Sequence, residues 1–437
     1  MATLRALCAL AQVLAVRVGS SRAGNDPYKT HTYSVPVQTE WEANATHVPL
    51  DEVLQKGSPR LKDVLDKYGF AVVTGVVPFQ EQQAFEDDFK DDLLDLVDKE
   101  ALSTGPEAAK YAHERLLKEG PRAFPIRTAE TYLTEGAGFV LKRALMHGRF
   151  AWRARRHPNV AAVFGTLFPE EEKLVTSVDV TFFTPKGGQI SKTNSFSAHV
   201  DQNKHDVRDG LSDSETYQGV LYIWPAGEGT STTVLWPGSH HDRWDTMMED
   251  ERFKDSGKYG IHYCEIRAMY NQARGTQLAA GWAEHARRVV VPAGGLLLWN
   301  SRTLHTGWRG GPRLAQTVCL EPASRRKETA RLAKLRLAAL GLPSTHWAQL
   351  GMQHDMVLGY GGVFAKDRAP ASAPFMFGRP LLPLLPALRP QGLADGADEG
   401  RLEKLVEVEY STLGTWAFPG SAALLEASVR DTIKEHL

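Results

Sequence analysis

Between residues 175 and 320 the chain is a succession of short apolar runs separated by glycine, proline and polar turns, a pattern that points to a fold built largely from β-strands. Val175 to Thr184 (VTSVDVTFFT), Gly219 to Trp224 (GVLYIW), Thr232 to Trp236 (TTVLW), Val289 to Val291, Leu296 to Trp299 and Leu314 to Leu320 each read as a strand. Two histidine-bearing stretches lie among them, Ala198-His199-Val200-Asp201-Gln202 and Leu304-His305-Thr306-Gly307. In an extended backbone His199 and Asp201 point to one face, roughly 7 Å apart along the chain. A third imidazole, from His305, would complete two histidines and one carboxylate on a triangular face. That donor set holds non-haem Fe(II) and leaves coordination positions open for a co-substrate and O₂. A His-x-Asp triplet alone carries little weight, because it recurs by chance. The strand setting on both sides makes His199, Asp201 and His305 the candidate metal ligands.

The ordered motifs extend further. His199-x-Asp201 is followed by Trp236-Pro237-Gly238-Ser239-His240, then by Pro292-Ala293-Gly294-Gly295 leading through Leu296 to Trp299 into Asn300-Ser301-Arg302-Thr303-Leu304-His305, then by Gly311-Pro312-Arg313. Over roughly residues 60 to 322 this set resembles the phytanoyl-CoA dioxygenase family of Fe(II)/2-oxoglutarate oxygenases. The resemblance implies a mainly β fold with surrounding helices and a double-stranded β-helix core of the jelly-roll or cupin kind, with the metal near its mouth. It also implies that 2-oxoglutarate chelates the iron and is converted to succinate and CO₂ while a substrate C–H bond is hydroxylated. The distal carboxylate of such a co-substrate needs a fixed cation, and arginine offers a planar fork that never loses its charge. Arg313 lies close to where the family places that arginine, at the start of a strand, whereas Arg309 falls in a glycine-rich turn. Trp224 is either a wall of the same pocket or a plain core aromatic. Related iron halogenases carry a small residue at the carboxylate position, so Asp201 favours hydroxylation. Gly307, two residues beyond His305, departs from family members that place a hydroxyl there.

The 437 residues, 42% apolar, are enough for one large elaborated domain with a sizeable core. The net charge of −1 provides no global field for nucleic acid or an acidic membrane. Cys8, Cys264 and Cys319 are too few for a disulfide framework and lack zinc-site spacing. No apolar run reaches transmembrane length. Residues 1–23 contain no acid and carry Arg5, Arg17 and Arg22 around an apolar stretch, which suits a secretory or organellar targeting segment. Without one, a cytoplasmic location is expected.

The remaining organisation reads as follows. Residues 24–373 form the oxygenase domain, with the barrel core at about 175–322. Leu61 to Val77 is a short helix, a glycine break and a strand, and Phe79 to Leu102 is an amphipathic helix. Residues 103 to 170 are mostly helical or irregular. The polar segment Gln202 to Tyr217 leaves the metal strand as a loop over the site. Gly238-Ser239-His240-His241 is a turn, and Asp242 to Arg288 is helix and loop beside the mouth. Ser324 to Leu340 is a basic amphipathic helix, solvated or in contact with an anionic substrate. Residues 374–400 are a Pro/Leu/Gly-rich linker, and 401–437 a C-terminal extension. Three functions compete: an oxygenase acting on a small organic molecule, one possibility being a lipid or acyl derivative; a non-catalytic barrel serving as a binding module; and a zinc hydrolase, since zinc accepts the same ligands.

Overall fold

The computed structural model describes residues 34–99, 106–129, 134–135, 139–140, 145–187, 198–206, 210–258, 262, 264–265, 284–328, 330–331, 334 and 344–350. The stretches read from sequence as a targeting segment (1–23), a linker (374–400) and a C-terminal extension (401–437) therefore lie outside the described residues. The strands in chain order are β1 (His47–Pro49), β2 (Phe70–Thr74), β3 (Thr134–Glu135), β4 (Phe139–Val140), β5 (Leu174–Thr176), β6 (Thr181–Thr184), β7 (His199–Val200), β8 (Tyr217–Tyr222), β9 (Thr232–Leu235), β10 (Cys264–Glu265), β11 (Arg287–Arg288), β12 (Gly295–Asn300), β13 (His305–Trp308), β14 (Arg313–Thr317) and β15 (Leu320–Pro322). They make a large sheet of order β1-β2-β12-β8-β14-β6-β4-β3, a smaller one of order β10-β7-β13-β9-β11, and the β15-β5 pair. Only β1 and β2 run parallel; the other pairings between these strands are antiparallel. From β6 to β9 successive strands alternate between the two sheets, and from β12 to β14 they do so again.

Period-two alternation sorts the side chains of the large sheet. Leu221 of β8, Leu296 and Leu298 of β12, Leu314 of β14 and Phe183 of β6 join one core cluster with Phe85, Phe89 and Leu93 of the Phe79–Lys99 helix and with Phe150 and Trp152 of the Arg149–Arg155 helix. The opposite face of the same strands carries Gln218, Tyr222, Trp299 and Arg313. These meet the small sheet: the Tyr222 hydroxyl lies 3.0 Å from Thr233 Oγ1 of β9. The outer face of the small sheet, with Val200, Val234 and Trp308, packs on Trp244, Met247, Met248 and Phe253 from the Asp242–Met248 and Glu251–Lys258 helices. The polar face of each sheet thus looks into a shared interior, while its apolar face is sealed by helices.

The Arg60–Tyr68 helix ends at Gly69, as the glycine break predicts. Gly69 is left-handed (φ 77°), and a Cβ there would lie 2.6 Å from both Thr303 Oγ1 and His240 Nδ1. Its carbonyl accepts hydrogen bonds from Asn300 N (2.9 Å) and Thr303 Oγ1 (2.8 Å), fixing the turn between β12 and β13.

Several boundaries differ from the sequence reading. Val175 to Thr184 is not one strand: β5 pairs with β15, β6 joins the large sheet, and between them Val178 exchanges hydrogen bonds with Ser344. Leu314 to Leu320 likewise divides into β14 and β15, because Val318 N turns to Gly219 O. Val289 to Val291 makes only an isolated bridge, Ala226 with Val291. Arg287–Arg288 is the strand instead, paired with β9. Lys334, assigned to a basic amphipathic helix read as solvated or anion-binding, is 1% exposed and donates to Ser177 Oγ and Thr345 O. Among the described residues no helix is long and apolar enough to cross a membrane.

Candidate metal centre

His199 opens β7 and His305 opens β13, and the two residues face each other directly across antiparallel strands. Such a pair projects its side chains from the same face. Their rings lie 4.2 Å apart, centroid to centroid. Asp201, two residues past His199, stays on that face because its N–H donates to Ser301 O (2.9 Å), prolonging the extended backbone. His305 Nε2 is 3.2 Å from Asp201 Oδ2, and His199 Nε2 is 3.9 Å from Asp201 Oδ1. One ligand atom from each residue lies within 4.8 Å of the others, a group that could hold a metal ion. Donors bound at about 2.0 to 2.2 Å to one centre and at right angles stand roughly 3 Å apart, so little movement is required.

The surroundings orient the donors. His305 Nδ1 lies 3.0 Å from Thr303 O, which assigns the ring proton to Nδ1 and leaves the Nε2 lone pair toward the site. Thr303 is held in turn by Gly69. Gln218 Nε2 donates to Asp201 Oδ2 at 2.6 Å, across from the large sheet. Burial pulls the Asp201 carboxyl toward its neutral form, but His305, His199 and His346 together outweigh it and hold the carboxylate well below the usual range. A pre-aligned carboxylate oxygen beside two imidazole nitrogens suits a divalent cation. Gln218, Thr303 and Ser301 were not picked out from sequence. The signal for Gln218 was a polar residue at an inward position of an apolar strand.

Arg313 begins β14, 2% exposed. Its Nη2 donates to the Tyr222 hydroxyl (2.6 Å) and reaches Thr233 Oγ1 (3.4 Å), while the guanidinium stacks 3.8 Å over the Phe182 ring. Nε has no hydrogen-bond partner, and no carboxylate pairs with the group among the described residues. Burial alone lowers its pKa from the ordinary value, opposed by the Tyr222 hydroxyl. A buried cation without a counter-ion is costly unless something anionic completes it. Arg309 is exposed. Trp224 does not join this group. Its indole N–H donates to Glu86 Oε1 (2.7 Å), its ring packs near Phe183 and under Arg122, and it belongs to the helix-side core. Alternation explains the difference: Tyr222 faces inward, and past it the chain turns with both Ile223 N and Trp224 N donating to Leu314 O.

The loop after Asp201 is fastened by Gln202, whose amide donates to Leu211, Ser212 and Ser214 carbonyls at 2.8, 3.0 and 2.9 Å. Among the described residues the Gly238 to His241 turn joins no metal group. His240 and His241 both reach Asp66 O, at 3.0 and 2.9 Å, and tie the turn to the Arg60–Tyr68 helix.

The family profile of phytanoyl-CoA dioxygenase (PhyH) matches residues 65–309, more than half of the chain. The chain belongs to the phytanoyl-CoA dioxygenase family. As a member it is an oxidoreductase of the dioxygenase type, and its His199, Asp201 and His305 could hold the metal ion. No curated protein matches it in sequence. Among solved structures it is similar to EctD from S. alaskensis with 2-oxoglutarate and 5-hydroxyectoine (14% identity, 68% of this chain and 86% of that one, TM-score 0.38). It is also similar to the GlcNAc-inducible gene 2 product of Candida albicans (11% identity, 85% and 89%, TM-score 0.40). A third similar structure is the non-haem α-ketoglutarate-dependent carbocyclase SnoK from nogalamycin biosynthesis (14% identity, 59% and 82%, TM-score 0.36). Arg313 lies four residues beyond the matched stretch.

Proposed function

We propose that this chain hydroxylates a C–H bond of a small organic substrate, with conversion of 2-oxoglutarate to succinate and CO₂. In this reading His199, Asp201 and His305 are the iron ligands, and Arg313 with Tyr222 and Thr233 receives the distal carboxylate of 2-oxoglutarate. Acyl derivatives are one substrate class to assay. The observation that carries the reading is the buried Arg313, unpaired with any acid among the described residues and facing the same interior as the three ligands. Tyr222 and Gln218 stand four residues apart on β8, so the guanidinium and the metal group are separated by roughly 13 Å of strand. Side chains from both ends bridge part of that distance, leaving a length suited to a five-carbon diacid. A zinc hydrolase would have no use for this second, cationic end.

Strand order supports a double-stranded β-helix core. β6, β14, β8 and β12 would form one sheet of the jelly roll and β7, β13, β9 and β11 the other, with the ligands on the smaller sheet.

Bound iron and 2-oxoglutarate would supply the oxidant that O₂ alone cannot provide at a useful rate. The protein's part is positional. Gln218 and Ser301 fix Asp201, Thr303 fixes the His305 tautomer, and Arg313 sets which end of the co-substrate points away from the metal. The test is succinate release from 2-oxoglutarate with ferrous iron and ascorbate, across pools of candidate substrates. Substrate-stimulated succinate that disappears when Zn(II) replaces iron is the expected result. Turnover of any substrate with Zn(II) and without 2-oxoglutarate would favour the hydrolase.

A further inference from the structure

The segment Ser344 to Leu350 lies beyond the family match and is bound tightly to the domain. Ser344 exchanges hydrogen bonds with Val178, its N donating to Val178 O at 2.5 Å and its Oγ accepting from Val178 N at 3.0 Å. His346 O accepts from Ser177 Oγ at 3.2 Å, and Ala348 N donates to Glu321 Oε2. Gln349 Nε2 reaches Ser214 Oγ at 3.3 Å, and the buried Lys334 ammonium donates to Thr345 O at 2.7 Å. These bonds hold backbone and flanking residues in place, but they leave the His346 side chain uncommitted. The residue is 6% exposed, and its Nε2 has no hydrogen-bond partner among the described residues.

The ring is placed beside the metal group. It packs at 5.9 Å from the ring of His262, which leads into β10, and β10 pairs with β7 so that Glu265 stands opposite His199. On the other side its backbone is anchored to Ser177, between β5 and β6. Hydrogen bonds also tie the segment toward Asp201: Glu321, which accepts from Ala348 N, accepts from Thr216 Oγ1, while Thr216 O accepts from Ser301 N and Ser301 O from Asp201 N. Burial, the first cause, together with Lys334 and His305, keeps the His346 imidazole neutral against the pull of Asp201, with a pKa down at about 4. A further polar atom without a partner among the described residues is Trp299 Nε1, whose ring is 5.2 Å from that of His305. Arg313 meets β8 at Tyr222, four residues from Gln218, where β8 meets Asp201.

We infer that His346 is a substrate-positioning residue, its Nε2 hydrogen-bonding a hydroxyl or carbonyl group of the primary substrate next to the three metal ligands. This rests on the oxygenase reading above and narrows its substrate class. The molecule presents a neutral oxygen function close to the oxidised carbon, and a bare alkyl chain end is rejected because it would leave the buried nitrogen unpaired.

The test uses the full chain under anaerobic conditions with Fe(II) and 2-oxoglutarate, whose visible charge-transfer band reports the metal site. Cyclohexanol, cyclohexanone and methylcyclohexane are titrated as probes, and the shift of the band gives an affinity for each. Wild-type protein should prefer the oxygen-bearing probes by about tenfold or more. H346F should reduce that preference to about threefold or less and H346Q should preserve it, both with 2-oxoglutarate affinity unchanged. If H346F loses 2-oxoglutarate binding through misfolding, H346L serves in its place. Equal affinity for the three probes in wild type, no shift with the polar probes, or an unchanged preference in the apolar variant overturns the inference. A wild-type protein that develops no band with 2-oxoglutarate would overturn the oxygenase reading itself, a separate failure.

Discussion

Asp201 is the sole carboxylate of the metal group, and Gln218, Ser301 and both histidines converge on it. Asp201→Ala should abolish succinate-coupled turnover while changing stability by no more than about 1 to 2 kcal/mol, since its backbone bond to Ser301 survives. Wild-type rates in that variant with iron confirmed bound would remove the carboxylate from the mechanism. For the two arginines, the measurement is calorimetric titration of 2-oxoglutarate with Mn(II) in place of iron. Arg313→Ala should weaken binding by about one to two powers of ten, because a charge-assisted hydrogen bond is worth roughly 1.5 to 3 kcal/mol. Arg309→Ala, at an exposed position, should leave it unchanged; a loss confined to the Arg309 variant would reverse the assignment. His199, Asp201, His305 and Arg313 were legible as candidates because their residue types are scarce within apolar strands. Gln218, Thr303 and His346 were not, because their importance depends on which strands pair and on a segment that returns from far along the chain.

At the scale of single elements, the turn between β9 and the Asp242–Met248 helix is clasped to the Arg60–Tyr68 helix by His240. Burial first, then the neighbouring His241, depresses the His240 pKa from 6.5 to about 4, with the Asp66 carbonyl opposing. The folded state therefore takes up this proton later than the unfolded chain. The stability it confers is complete above about pH 6.5 and is lost progressively as pH falls toward 4. Urea midpoints should decline across that window in wild type and decline less steeply in H240N; parallel slopes would mean that another group controls the acid limb. The apolar runs other than Val289 to Val291 did mark strands, but strand ends were not legible. Val175 to Thr184 looks continuous in sequence, yet Ser177 to Asp179 leaves the ladder to bind the 344–350 segment, and no local signal announces a partner that distant.

Across the whole molecule, Glu321 joins three regions that sequence order keeps apart. Its carboxylate accepts from Thr216 Oγ1 at 2.7 Å before β8, from Arg325 at 3.4 Å, and from Ala348 N. It is 1% exposed, so removing it strands several buried donors. Glu321→Ala should cost about 3 to 5 kcal/mol in denaturant unfolding. Limited proteolysis should then cut within 344–350 before it cuts the sheets. A variant that resists protease there as well as wild type would show that Glu321 does not hold the segment. The layered architecture was foreseeable from helical periodicity before residue 175 and strand periodicity after it, whereas this long-range closure was not.

The His199–His305 pairing has a practical consequence for anyone wishing to reprogram the protein. Two donors form one rung of a ladder, and the third is spliced to it through Ser301, so the metal geometry depends on register, on the flanking strands β9 and β10 and on Gln218, and hardly at all on the loop between β8 and β9. A one-residue slip would flip a ligand out of the site. A transplanted loop of different length would leave it undisturbed. The same scaffold can therefore be given new pocket walls by cassette exchange while its oxidising centre is kept as a fixed template.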